Sequence, residues 1–208
     1  MALLGRVVRD TDGHRVGDLA DGVITFHQRR RPVLTGLVLS LMRSRMYVPW
    51  SAVEVIELDR VVLSSDVLEL FRVELATTEV LVKGDLLRHR LIDVEAAGLV
   101  KAFEVGFTGT PDGWILTGLD VHKTAWSQFG ARHGTHPMRD WDEFVPLWDP
   151  GSVAAADRLV RLRGVGPERL ARVLDGCRPK ERARLLALLR ADPRLETGVL
   201  ERARKRHR

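Results

Sequence analysis

The tetrapeptide Leu-Thr-Gly-Leu occurs twice, at 34–37 and at 116–119. Val23-Ile24-Thr25-Phe26 precedes the first copy and Glu104-Val105-Gly106-Phe107 the second. From Phe to Leu the spacing is 8 residues in one copy and 9 in the other. An acidic turn and a glycine lie before each: Asp12-Gly13 with Gly17, and Asp93-Val94-Glu95 with Gly98. A period of roughly 80 residues is too long for a solenoid repeat. It predicts two copies of one small β unit, each with its own core, in which Phe26 superposes on Phe107 and Gly36 on Gly118.

The segments around these copies have strand character. Leu3 to Val8 is a short apolar run that ends at the turn Asp10-Thr11-Asp12-Gly13. His14 to Phe26 follows with a bend expected at Gly22, then Val33 to Leu39. Val53-Glu54-Val55-Ile56-Glu57-Leu58 alternates apolar and charged residues, as a half-buried strand does, and Asp59-Arg60 turns the chain into Val61-Val62-Leu63. Pro111-Asp112-Gly113-Trp114 is a tight turn in the second copy. Short strands between turn signals predict a small barrel or sandwich.

Gly5 to Gly17 (GRVVRDTDGHRVG) resembles the opening of a PRC-barrel domain: a strand, an Asp-x-x-Gly turn and a second strand starting near a Gly. Tyr47-Val48-Pro49-Trp50 resembles the segment that closes such barrels. Lys101 to Val105, with Thr110 to Trp114, looks like a second, divergent copy. The resemblance covers most of residues 3–148. It implies a binding or scaffolding module, because that family shares no catalytic residues.

The last 58 residues differ in chemistry. Residues 151–208 hold 16 Lys and Arg against 7 Asp and Glu, net +9, while residues 1–150 hold 17 against 21, net −4. A boundary near Asp149-Pro150-Gly151-Ser152 follows. Apolar residues at helical spacing run from Val153 to Leu162, from Glu168 to Leu174 after Gly166-Pro167, from Arg178 through Leu185, Leu186, Leu188 and Leu189, and after Asp192-Pro193 through Leu195, Val199 and Leu200. Short helices with short connections predict helical hairpins. These should bury Leu159, Leu162, Leu170, Val173, Leu174, Leu185, Leu186 and Leu189 and turn the arginines outward. Arg202 to Arg208 is almost entirely cationic and reads as a disordered tail. The two stretches Pro167 to Leu174 and Pro179 to Leu186 resemble the helical N-terminal domain of MgtE-type magnesium transporters over about 45 residues. In that family the domain precedes CBS domains and a channel, and acidic residues bind magnesium. This segment is basic, and no transport activity carries over.

A competing motif is Leu162-Arg163-Gly164-Val165-Gly166-Pro167, the outline of a helix-hairpin-helix nucleic-acid element. Gly164 and Gly166 would let backbone N–H groups face a phosphate, and Arg161, Arg163, Arg169 and Arg172 would add charge. A plain loop between packed helices explains the same residues. Asp10, Asp12 and Asp18 lack the ligand order of a calcium loop and read as a solvated turn. His122, His133 and His136, near Asp140 and Asp142, lack a zinc motif and read as a surface loop. Trp114, Trp126, Trp141 and Trp148 read as core or interface residues. No Gly-x-Ser-x-Gly, P-loop or Rossmann fingerprint is present, and nothing ties a histidine to Cys177.

Composition narrows the class. Of 208 residues, 45% are hydrophobic and 29% charged, which excludes a wholly disordered or collagen-like chain. One cysteine cannot form an internal disulfide and fits a reducing cytosol. The run Val33 to Met42 is interrupted by Thr35, Gly36 and Ser40 and is too short to span a bilayer, and the N-terminus lacks a signal-peptide pattern. The abundance of Arg fits either phosphate recognition or a GC-rich genome.

The fold class expected is α+β: two small PRC-like β-barrels (1–76 and 77–149), an α-helical hairpin domain resembling the MgtE N-terminal domain (150–201) and a basic tail (202–208). The function expected is that of a cytoplasmic, non-enzymatic adaptor, scaffold or regulator binding a protein, linked through the resemblance to magnesium transport. The alternative is nucleic-acid or ribonucleoprotein binding through the Gly-Val-Gly turn and the basic C-terminal region. No cofactor, metal or membrane insertion is expected; a homo-oligomer stays open. Val145, Leu147 and Trp148 are the expected contact between the β and helical parts.

Overall fold

The computed structural model describes residues 5–27, 31–57, 59–64, 71–111, 113–121, 138–148 and 155–206. The chain is α+β. The first half supplies β1 (Val7–Arg9), β2 (Arg15–Thr25), β3 (Val33–Leu41), β4 (Ser44–Pro49), β5 (Val53–Ile56), β6 (Arg60–Leu63), β7 (Phe71–Arg72) and β8 (Glu79–Leu81). Together with β11 (Glu104–Thr110), β12 (Gly113–Asp120) and β13 (Arg139–Asp140) they form one curled sheet, whose main path runs β11-β12-β3-β2-β1-β6-β5. β9 (Arg90–Asp93), β10 (Gly98–Lys101) and β14 (Phe144–Pro146) form a second sheet in the order β10-β9-β14.

The two Leu-Thr-Gly-Leu strands, β3 and β12, pair with each other through Trp114 opposite Leu34 and Ile115 opposite Val33. β8, beyond the expected boundary at 76/77, pairs with β2. The halves therefore share a sheet. They also share a core: Val8, Leu37 and Val61 belong to one buried cluster with Leu116, Leu119 and Phe144. This corrects the expectation of separate cores. Because β3 and β12 join edge to edge, their inward faces meet over a common interior.

Within each half the local geometry repeats. In β2–β3, Val23 faces Gly36 and Ile24 faces Leu34, which leaves Thr35 as the extra residue of a bulge. In β11–β12, Gly106 faces Gly118 and Phe107 faces Leu116, which leaves Thr117 in the same place. The Thr35 hydroxyl is 2.7 Å from that of Thr25 and 3.5 Å from the Val23 carbonyl. The Thr117 hydroxyl is 3.1 Å from that of Thr108 and 3.3 Å from the Gly106 carbonyl. Gly36 and Gly118 are thus equivalent by register. Phe107 stands where Ile24 stands, not Phe26, because the second hairpin closes sooner.

The strand after each hairpin repeats as well. Gly36 faces Pro49 on β4 and Gly118 faces Asp140 on β13. Each partner then enters a three-residue 3₁₀ turn that begins with tryptophan, Trp50–Ala52 or Trp141–Glu143, and each turn is closed by an N–H donated to that tryptophan's carbonyl. A Cβ on Gly36 would fall on the Tyr47 ring, and one on Gly118 would lie 2.9 Å from the Arg139 carbonyl oxygen. Only glycine permits either approach.

Four helices follow: α1 (Ala155–Val165), α2 (Pro167–Gly176), α3 (Pro179–Leu189) and α4 (Pro193–Arg206). Pro167 and Pro179 open α2 and α3, where a missing N–H costs nothing. Leu159, Leu162, Leu170, Val173, Leu174, Leu185 and Leu189 are buried, while Leu186 is half-buried. α2 and α4 run side by side and parallel, with Pro167 against Gly198 and Asp175 ion-paired to Arg206 at 3.1 Å. The expected disordered tail is corrected for residues 202–206, which are helical. Ala203 continues the buried row of Leu195 and Val199 at spacings of four, and that contact holds the last turn.

Candidate functional site

Three places gather the residues singled out by sequence. The first is the seam between the β and helical parts. Leu91-Ile92 and Phe144 to Trp148 are continuous apolar runs, the mark of strands buried on both faces. Alternation sends Leu91 and Phe144 into the β core and Ile92 and Val145 toward the helices. Val145 and Leu147 lie in one buried cluster with Leu159, Leu162 and Leu170. Trp148 is buried against the β core, with the His89 ring 5.9 Å away.

Arginines lock this seam. Arg158 is buried and donates to the Trp148 carbonyl at 2.9 Å. Arg161 donates to the carbonyls of Phe144 (2.7 Å) and Trp141 (3.3 Å), lies 3.4 Å from Asp142, and covers the Trp141 ring. Burial holds its guanidinium below the ordinary value, against the pull of Asp142. Arg169 donates to the Glu95 carbonyl. From the other side Arg90 reaches Glu181 at 2.9 Å, and that hydrogen bond lowers the Glu181 carboxyl below its ordinary range. The expectation of outward arginines is therefore corrected for Arg158 and Arg161. The sequence held a signal: Arg158, Leu162 and Val165 share one helical face at spacings of four and three.

The Gly-Val-Gly turn looks different from its outline. Gly164 and Val165 are the last residues of α1, not a loop. Gly166, at φ +82°, caps α2 and directs its N–H to the Leu162 carbonyl at 3.4 Å. Arg163 is ion-paired with Asp192 at 2.7 Å. Of the six residues proposed for phosphate contact, Arg161, Arg163 and Arg169 are engaged within the chain, and Arg172 is exposed.

The second place is a groove of about 530 Å³ at the open end of the curled sheet. It lies between the turn Trp50–Ala52 with edge strand β5 and the tip of the β11–β12 hairpin. Trp50, Val53, Val55, Ile56, Pro111 and Trp114 supply the apolar part of a mixed lining that Thr110 and Gly113 complete, and the rings of Trp50 and Trp114 sit 6.0 Å apart. Val55 is 42% exposed. Glu54 also lines the groove and makes no ion pair among the described residues. It is the extra residue of a bulge, since Val53 faces Leu63 and Val55 faces Val62. The sequence marks Trp114 as a core or interface residue and does not connect it with Trp50. Their meeting depends on the β3–β12 pairing, whose partners lie 80 and 82 residues apart in sequence and which no local pattern encodes.

The third is the β1–β2 turn, where Asp10, Asp12 and His14 offer ligand atoms within 4.8 Å of one another. Asp10 spends one oxygen on the His14 N–H at 2.8 Å, and Asp18 is paired with Arg15, as a solvated turn requires. His122, His133, His136 and Trp126 lie outside the described residues. Asp140 and Asp142 both bind Arg31, at 2.8 and 2.9 Å. Burial pushes the Cys177 thiol up to about 11, so it stays protonated at neutral pH and is a poor nucleophile. Among the described residues no helix is long and apolar enough to cross a membrane. In comparisons with protein-family profiles, curated proteins and solved structures, the chain matches none.

Proposed function

We propose that this chain is a non-enzymatic cytosolic adaptor that binds a protein partner in the Trp50–Trp114 groove. The groove carries the proposal: two half-buried tryptophans beside the exposed Val55 and a carboxylate make the mixed apolar and polar lining that a protein interface uses. A bulge at an edge strand hinders strand addition, so the partner engages through side chains set into the groove. Glu54 favours a partner segment with a lysine or arginine beside its apolar residues.

The proposed architecture is two PRC-like barrels fused through β3 and β12 and followed by an MgtE-like helical unit. The matching bulges at Thr35 and Thr117 and the matching Trp50 and Trp141 turns support the duplication. The helical resemblance links the partner to magnesium transport. Affinity capture from native extract tests the proposal, with Trp114→Ala beside the parent protein. A partner that the parent captures and the variant loses supports it; a partner retained equally by the variant overturns it.

A further inference from the structure

We infer that helices α2 and α4 form a docking surface for duplex nucleic acid, contacted through the phosphate backbone. The inference does not depend on the Trp50–Trp114 groove. α2 and α4 are parallel with a constant offset: Pro167 meets Gly198, and Asp175 meets Arg206. That register brings Arg172 level with Arg202 and Ala203. Ala203 points inward, while Arg172 and Arg202 are exposed. Lys205 continues the exposed face one turn on, beside Arg206. Arg172, Arg202 and Lys205 make no ion pair among the described residues; Arg202 donates only to the Gly198 carbonyl, at 3.1 Å.

The acids near these cations are Asp175, already used by Arg206, Glu201, and Glu168, one turn before Arg172. Arg202 and Lys205, three residues apart and without an ion pair among the described residues, are like charges that oppose each other on one helix face. A polyanion relieves that repulsion. Residues 155–206 contain no Phe, Tyr or Trp, so no base-stacking platform for a single strand exists on them. The patch shows no large exposed apolar side chain, which a protein interface needs at its centre and a lipid surface needs for insertion. A duplex backbone needs cations alone and releases counterions when it is bound. The surface shares Arg172 with the Gly-Val-Gly motif but extends onto α4, because Arg161, Arg163 and Arg169 are spent within the fold.

The test is fluorescence anisotropy of a labelled duplex of about 20 base pairs titrated with the full chain. For three phosphates neutralised, affinity should fall about 40-fold between roughly 50 and 200 mM salt. The variant Arg172→Gln/Arg202→Gln/Lys205→Gln should flatten that dependence, each cation removing about one unit of log–log slope. The variants Lys180→Gln/Arg184→Gln on α3 and Arg172→Lys/Arg202→Lys should keep it, and circular dichroism checks that all are folded. Absence of salt-sensitive binding overturns the inference. So does an equal loss in the α3 variant, or a lost slope in the charge-conserving variant, which also decides the matter if the glutamine variant does not fold. Polyglutamate binding more tightly than the duplex overturns it in favour of an acidic protein.

Discussion

Gly36 and Gly118 hold equivalent places in two hairpins but face different neighbours. Gly36 lies under the Tyr47 ring, whose hydroxyl donates to the Thr35 carbonyl at 3.1 Å; Gly118 lies against a backbone carbonyl. A side chain can move aside and a paired strand cannot. Gly36→Ala should cost about 1–3 kcal/mol, and Tyr47→Ala should recover part of that loss. Chemical denaturation of the double-mutant cycle would show the coupling. Gly118→Ala should cost at least as much, with no recovery in Tyr47→Ala. Additive effects at Gly36 would contradict the close approach. The glycines were legible in the sequence because the whole tetrapeptide recurs. The bulges leave no such mark, so spacing alone pairs Phe26 with Phe107. A bulge consumes one residue on one strand and shifts the register without a mark in the composition.

Helix identity was legible from apolar spacing and from Pro167 and Pro179, but two ends of the helical unit were misread for the same reason. In both places charge in the sequence suggests an exposure that the fold does not give. Arg158 and Arg161 bury their long side chains and find carbonyl oxygens at the ends of β14 and the Trp141 turn, and Arg202–Arg206 stay helical because Ala203 is buried. Deleting residues 202–208 should therefore lower the melting temperature of the helical unit; an unchanged melting temperature would return these residues to a disordered tail. The Arg90–Glu181 pair ties β9 to α3. The Glu181 carboxyl is lowered in the fold, so its contribution is fully present above its unfolded value near 4.5 and is lost as pH falls through the lowered value. Glu181→Gln should cost about 1.5–3 kcal/mol at neutral pH. The difference in melting temperature between parent and variant should shrink in acid below about pH 4. A difference independent of pH would mean that the pair is not what joins these elements.

On the scale of the whole molecule, the second sheet is the hinge of the design. One face closes the β core and the other receives the helices, so the acidic and basic parts are joined through Ile92, Val145 and Leu147 as well as by ion pairs. The net charges of the two parts were legible, and so was the apolar stretch that meets the helices. The groove was not, because it needs strands from both halves brought edge to edge. Its role in binding is the central claim, and photo-crosslinking inside cells tests it most directly. A photoreactive amino acid in place of Val55 should give one discrete protein adduct. Trp50→Ala or Trp114→Ala should abolish that adduct, and the same probe at Val160, exposed on α1, should not form it. No adduct at Val55, or the same adduct from Val160, would contradict the account.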